Sequence, residues 1–174
     1  MTTSYISEAM RGVLGSRLSR RQSYPVSASD IRRWAIAVYW PEEPPRLFWD
    51  ETHAATTIHG GIVAPEEFNP FAWMAASKEV SEAKPISGPN DSDLFEHSLG
   101  IEGPGLSFQL NGGMSVTYGV RMRPGDVITS ESILADYTER EGRLGLMLFT
   151  ETEDTWTNQH GEVVKITRQS SIRY

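Results

Sequence analysis

The chain has 174 residues, enough for one domain, with 39% hydrophobic and 22% charged residues, a globular rather than a disordered composition. Its formal charge of −7 sets it against phosphate backbones, so no nucleic-acid partner is expected. There is no cysteine, which excludes disulfides and thiolate chemistry, and no apolar run near the ~20 residues that span a bilayer. The start, MTTSYISEAMRG, lacks the basic end and apolar stretch of a secretion signal, so a cytoplasmic location is expected.

Residues 4–14 predict a short helix ended by Gly15, and Arg17 to Val26 an extended segment. Its basic cluster, Arg17, Arg20 and Arg21, suits a solvated strand face or an anion site equally. Ser27 or Ser29 can accept from free helical N–H groups, and Asp30 adds negative charge in the first turn. Ile31, Trp34, Ala35 and Val38 follow at spacings of three and four, one apolar helical face. The prolines of Trp40 to Pro45 stop that helix, since proline lacks an N–H and restricts its predecessor. Asp50 to Thr56 predict one or two helical turns, ended by Gly60 and Gly61, and Ile62 to Ala64 are expected to be buried. Pro65 suits a first helical position. Phe68, Phe71, Ala72, Ala75 and Ala76 then make an apolar stripe, so Glu66 to about Lys78 is expected to be the central helix. Phe68, Phe71, Ala72 and Ala75 should face inward.

Residues 79–105, rich in Pro, Gly, Ser and acidic residues, read as a long connection inside a single domain, 1–174. From Leu106 the periodicity switches to two, carried by Met114, Val116, Tyr118, Val120 and Met122. Arg123 to Asp126 predict a turn, and Val127 to Thr138 a strand. Glu139 to Gly142 turn the chain into a strand from Leu144 to Trp156. Asn158 to Gly161 turn it again, and Val163 to Arg173 close the sheet. Neighbouring antiparallel strands crossed by a helix make an α+β fold.

Three segments together resemble a known family: GGMSVTYGVRMRPGDVITSESILADY, GRLGLMLFTETEDTWTNQHGEVV, and VSASDIRRWAIAVYW followed downstream by GGIVAP. Their order and spacing are similar to the N-terminal-type domain of MaoC-like dehydratases, also called the fatty-acid-synthase-like dehydratase domain. The resemblance covers nearly the whole chain. It implies a hot-dog fold, a long helix wrapped by a curved antiparallel sheet. It also implies (R)-specific hydration of 2-enoyl thioesters or the reverse dehydration, with no cofactor. Substrates would be thioesters of coenzyme A or of acyl carrier protein, in a tunnel between two paired hot-dogs.

Such chemistry needs a group that moves protons and N–H donors for the thioester oxygen. The resemblance places the first in a loop written D-x-N-P-x-H-x-D. Here the loop reads EEPPRLFWDE. If Asp50 matches the trailing Asp, Phe48 stands at the His, and Glu43 lies near the first Asp. No histidine lies between residues 40 and 52, so shifting the register restores none. Asp50 and His53 could face each other on a helical turn, although a surface helix with a local charge contact explains them more plainly. Glu43, Asp50 and His53 therefore remain weak catalytic candidates. His59 reads as a loop or cap residue, and His97 and His160 as solvent-facing; no metal-ligand spacing joins the four histidines.

Asn111, beside Gly112, occupies a place where relatives show a His before glycine, and suits a ligand contact or a turn. Phe68, Phe71 and Trp73 could line an acyl tunnel or serve as plain core. The leading expectation is a hydratase or dehydratase subunit that supplies the substrate-tunnel half. A second hot-dog would supply the Asp and His. The alternative is a non-catalytic acyl-thioester-binding or structural homodimer.

Overall fold

The computed structural model describes residues 4–72, 74, 91–143 and 145–174. Helix α1, Glu8–Gly12, is capped by Ser7, and β1 follows at Arg17–Gln22. The longest described helix is α2, Ala28–Tyr39; the Ser27 side chain accepts from the backbone N–H of Asp30 at 3.0 Å, so Ser27 rather than Ser29 is the cap. A 3-10 turn, Arg46–Phe48, leads to α3 at Glu51–Ala55. Helix α4, Leu94–Ser98, lies inside the stretch expected to be a connection. Four long strands complete the fold: β2 Gln109–Tyr118, β3 Thr129–Gly142, β4 Gly145–Thr157 and β5 Val163–Arg173.

The five strands form one antiparallel sheet in the order β1-β3-β4-β5-β2. This differs from a plain meander. Strands β2 and β3 are consecutive in sequence but stand three places apart, with β4 and β5 between them, because β2 pairs with β5 and β1 with β3. The strand β3 also runs on to Gly142, where a turn had been expected from Glu139.

The described start of the expected central helix, residues 66–72, is a series of turns. Asn69 Oδ1 accepts from Phe71 N–H at 3.0 Å, and Phe68, Ala72 and Met74 donate to carbonyls three residues back. Asparagine's short side chain competes with helical bonding, and Pro70 has no N–H to give. Trp73 and residues 75–90 lie outside the described residues, and with them the rest of that expected helix and Ala75. Phe68 and Phe71 do turn inward, but Ala72 is exposed.

Two apolar clusters cover the sheet. One gathers Ile31 and Ala35 of α2, Ala54 of α3, Ile62 to Ala64, and Phe68 and Phe71 against Ile128, Trp156 and Val164. Val38, expected on the inward face of α2, is 57% exposed. The second packs Met10 of α1 against Leu134, Tyr137 and Leu148, with Leu99, Ile101 and Leu106 beside them. Fully burying one of their Val, Leu, Ile, Phe or Met side chains contributes about 1.5–3 kcal/mol.

Candidate functional site

Sequence reasoning points first to the segment after α2. There Phe48 is only 6% exposed, its ring 6.1 Å from that of Tyr39. Trp49 Nε1 donates to the carbonyl of Pro44 at 2.9 Å, closing the proline-rich turn. Asp50 caps α3: its Oδ1 accepts from the backbone N–H of His53 at 2.9 Å, and its Oδ2 receives Arg46 Nη2 at 2.6 Å. That backbone N–H, and then Arg46, hold the carboxyl below the usual aspartate range. Asp50 and His53 thus meet through His53's backbone. Glu43 borders a separate surface groove of about 200 Å³ with Arg32 and Trp49. Trp49, Asp50 and Arg46 are thus spent on a turn, a cap and an ion pair.

Phe68 and Phe71 stand at one end of the sheet. Phe68 meets Trp34 edge-on at 5.7 Å, and Phe71 meets Trp156 edge-on at 5.1 Å. Asn111 lies at the other end. It pairs in register with Ser171, which pairs with Thr150. Trp156 and Thr150 are six residues apart on β4, roughly 20 Å along an extended strand. Phe68 and Phe71 therefore do not share a site with Asn111. Asn111 makes a local side-chain turn within β2. Its Oδ1 accepts from Gly113 N–H at 3.0 Å across a β-bulge in β2. At Gly112 a Cβ would fall 2.9 Å from the Ile172 side chain, so strand packing requires glycine there.

Above Asn111 opens a cleft of about 770 Å³ between the β4–β5–β2 side of the sheet and the segment that carries α4. Residues paired across antiparallel strands share a face. One row is therefore Thr150, Ser171 and Asn111, and the next carries Thr152 and Gln169. Phe95 and Phe108 stand on the walls. Phe108 stacks on Tyr174, with ring centres 5.5 Å apart.

Beside this floor, on the same face of the sheet, is a buried ion cluster that sequence reasoning missed. Arg173, 1% exposed, donates Nη1 to Asp93 Oδ1 at 2.7 Å and Nη2 to Glu96 Oε1 at 2.6 Å. The same guanidinium reaches the Ser92 carbonyl at 2.9 Å and Thr150 Oγ1 at 2.8 Å. Tyr137 donates its hydroxyl to Glu96 Oε1 at 2.6 Å. Burial pushes the Glu96 carboxyl up, but the hydrogen bonds from Arg173 and Tyr137 and the Arg173 charge outweigh it, so Glu96 is held below its ordinary value. Burial, reinforced by Glu96, pushes the Tyr137 phenol far up. The cluster ties α4, β3, β4 and β5 together beside one end of the cleft.

A second pair was also missed. His97 Nδ1 stands 2.6 Å from Asp91 Oδ2, and this hydrogen bond raises the imidazole above its ordinary value. Asp91 borders the cleft, whereas His97 is not among the cleft-lining residues and stands behind the carboxylate. Asp91 is the only ionisable side chain among the described lining residues. The remaining lining polar groups donate and accept hydrogen bonds without charge. The sequence signal for both missed groups was thin, an acidic stretch followed by a helix start. Nothing in a strand's alternation says which face meets a helix.

A model of the FAS1-like dehydratase domain region matches residues 13–167. A search of the curated proteins by sequence finds no match. Among solved structures, the chain is similar to the ChsH1-ChsH2 complex from Mycobacterium tuberculosis, at 18% identity and a TM-score of 0.66, over 96% of this chain and 89% of that one. It is similar to a MaoC-like dehydratase from Rhodospirillum rubrum, at 19% identity and a TM-score of 0.52, over 90% of each chain. It is also similar to the R-hydratase PhaJ1 from Pseudomonas aeruginosa, at 15% identity and a TM-score of 0.53, over 92% of this chain and 81% of that one. With the antiparallel sheet and its order, these give the hot-dog fold, and the chain belongs to the FAS1-like, MaoC-like dehydratase family.

Proposed function

We propose that this chain is a subunit of an (R)-specific 2-enoyl thioester hydratase or 3-hydroxyacyl thioester dehydratase. It supplies one half of the substrate tunnel, and a second hot-dog subunit supplies the Asp and His. The observation that carries this reading is Phe48. Where the family pattern calls for an imidazole, this chain has a phenyl ring buried in its core. A phenyl ring transfers no proton, and its neighbour Asp50 is committed to a helix cap and to Arg46. The Asp91–His97 pair does not replace the dyad, because its carboxylate and not its imidazole borders the cleft.

Family membership supports the reaction class. The likeness to one protein of a ChsH1-ChsH2 complex supports a subunit role, and that to an R-hydratase supports the direction of chemistry. Strand β2, an edge of the sheet exposed along most of its length, offers a place for a second hot-dog.

The purified chain alone is expected to hydrate crotonyl-CoA weakly or not at all. Losing an essential acid–base group costs on the order of 10²–10⁴ in rate. Adding a hot-dog subunit with an intact Asp and His should restore turnover, and substituting that subunit's histidine should abolish it. Glu43→Gln and His53→Ala in this chain should have small effects. Rapid turnover by the isolated chain, lost in either variant, would overturn the half-site reading.

A further inference from the structure

We infer that the 770 Å³ cleft over β4, β5 and β2 takes an uncharged, hydroxyl- or amide-bearing segment of the ligand, and neither a plain alkyl chain nor a phosphate. The inference rests on the thioester reading for what the whole ligand is. The lining decides which part of it lies here.

The cleft is of a size that holds a small-molecule segment. Its floor repeats one chemistry across three strands: Thr150, Ser171 and Asn111 in one row, Thr152 and Gln169 in the next. Several of these groups have bonding capacity left over. Ser171 Oγ is buried with no hydrogen-bond partner among the described residues. Thr150 Oγ1 accepts from Arg173, and its own proton goes to no described acceptor. Asn111 uses its Oδ1 on the bulge, which leaves its amide N–H₂ unused among the described residues. A buried hydroxyl without a partner is costly, so a ligand that supplies one is favoured.

An alkyl chain would strip water from these groups and return no hydrogen bond. A phosphate finds no cation, for no Lys or Arg lines the cleft among the described residues, and Asp91 does. Arg173, one row along the same face, has both terminal nitrogens bound to Asp93 and Glu96. Its charge is already matched. What remains is a neutral segment with carbonyl, amide or hydroxyl groups, flanked by the apolar faces of Phe95 and Phe108. An amide arm beside the thioester and a hydroxylated acyl chain share that chemistry.

The test uses the full chain, ¹⁵N-labelled, with the side-chain amide signals of Asn111 and Gln169 as reporters. Pantetheine probes the amide arm. The 6-hydroxyhexanoyl and hexanoyl thioesters of ethanethiol, which carry no amide, probe the acyl chain with and without a hydroxyl. One polar probe should shift both reporters, and which one does so identifies the source. Thr152→Val and Ser171→Ala should each weaken that probe about five- to ten-fold, the loss of one hydrogen bond. Neither should weaken the hexanoyl probe. The inference is overturned if neither polar probe shifts the reporters, or if the hexanoyl probe shifts them with equal or greater affinity. Hexanoyl-CoA separates this failure from that of the thioester reading. If it binds outside the cleft while the polar probes leave the reporters unmoved, only the inference fails. If it binds nowhere, with or without a second subunit, the thioester reading fails whatever pantetheine does.

Discussion

Two carboxylates, Asp93 and Glu96, share the guanidinium of Arg173 where all three are nearly or wholly removed from water. Taking one partner from such a group leaves uncompensated charge, which typically costs about 3–5 kcal/mol. Arg173→Ala should therefore lower the urea midpoint by that much stability at an unchanged denaturant slope. Glu96 is held below its ordinary 4.5, so its contribution is present above that pH and lost as pH falls through the lower folded value. Glu96→Gln should flatten this acid loss, measured as stability against pH from 5 downward. His97 has the opposite sign. Its folded value lies above the ordinary 6.5, so its contribution is complete below 6.5 and fades as pH rises through the folded value. His97→Ala should remove that alkaline fade, seen by comparing melting midpoints on either side of neutrality. An unchanged pH profile in His97→Ala would show that the Asp91 contact does not hold the ring.

Short elements depend on their caps more than on propensity. Isolated helices as short as α1, α3 and α4 are marginal in water, so tertiary packing and capping hold them. Asp50→Ala should lower stability through loss of the N-cap, whereas Asp50→Asn keeps a capping oxygen and should lower it much less. Chemical denaturation of the two variants checks this. Equal losses would mean that the Arg46 ion pair, and not the cap, is what matters. The same local physics explains what was legible. Ser27, the prolines after Tyr39, and the Asn158 to Gly161 turn act through their own backbone, so α2 and the β4–β5 hairpin could be read from sequence. The turns at 66–72 could not, because the apolar stripe of Phe68 and Phe71 suits a buried turn as well as a buried helix. Pairing β2 with β5 was equally invisible. Alternation fixes which residues share a face, not which strand lies alongside. The candidate site suffered most. Ser171, Thr150 and Asn111 are far apart in sequence and meet only through that register.

At the scale of the whole molecule, the two edges of the sheet are built differently. Edge strand β1, RLSRRQ, carries Arg17, Arg20 and Arg21, and Glu131 on the neighbouring strand stands 3.7 Å from both Arg17 and Arg20. Charge on an edge discourages pairing with another chain. Edge strand β2, QLNGGMSVTY, carries no charge at all, and leaves Leu110 51% and Met114 62% exposed. An uncharged strand of ten residues with apolar side chains and open backbone groups is a template for a second sheet. Assembly is therefore expected through β2 and not through β1. Sedimentation at micromolar concentration should show no dominant monomer, whether the second hot-dog is another copy or a co-expressed subunit. Val116→Lys, which puts a charge in the middle of β2, should shift the distribution to monomer, while Ser19→Lys on β1 should leave it unchanged. A wild-type monomer that persists with the second subunit present, or a Val116→Lys assembly as stable as the wild type, would remove β2 as the joining edge. The half-tunnel reading would lose its geometry with it, since the cleft borders the same strand.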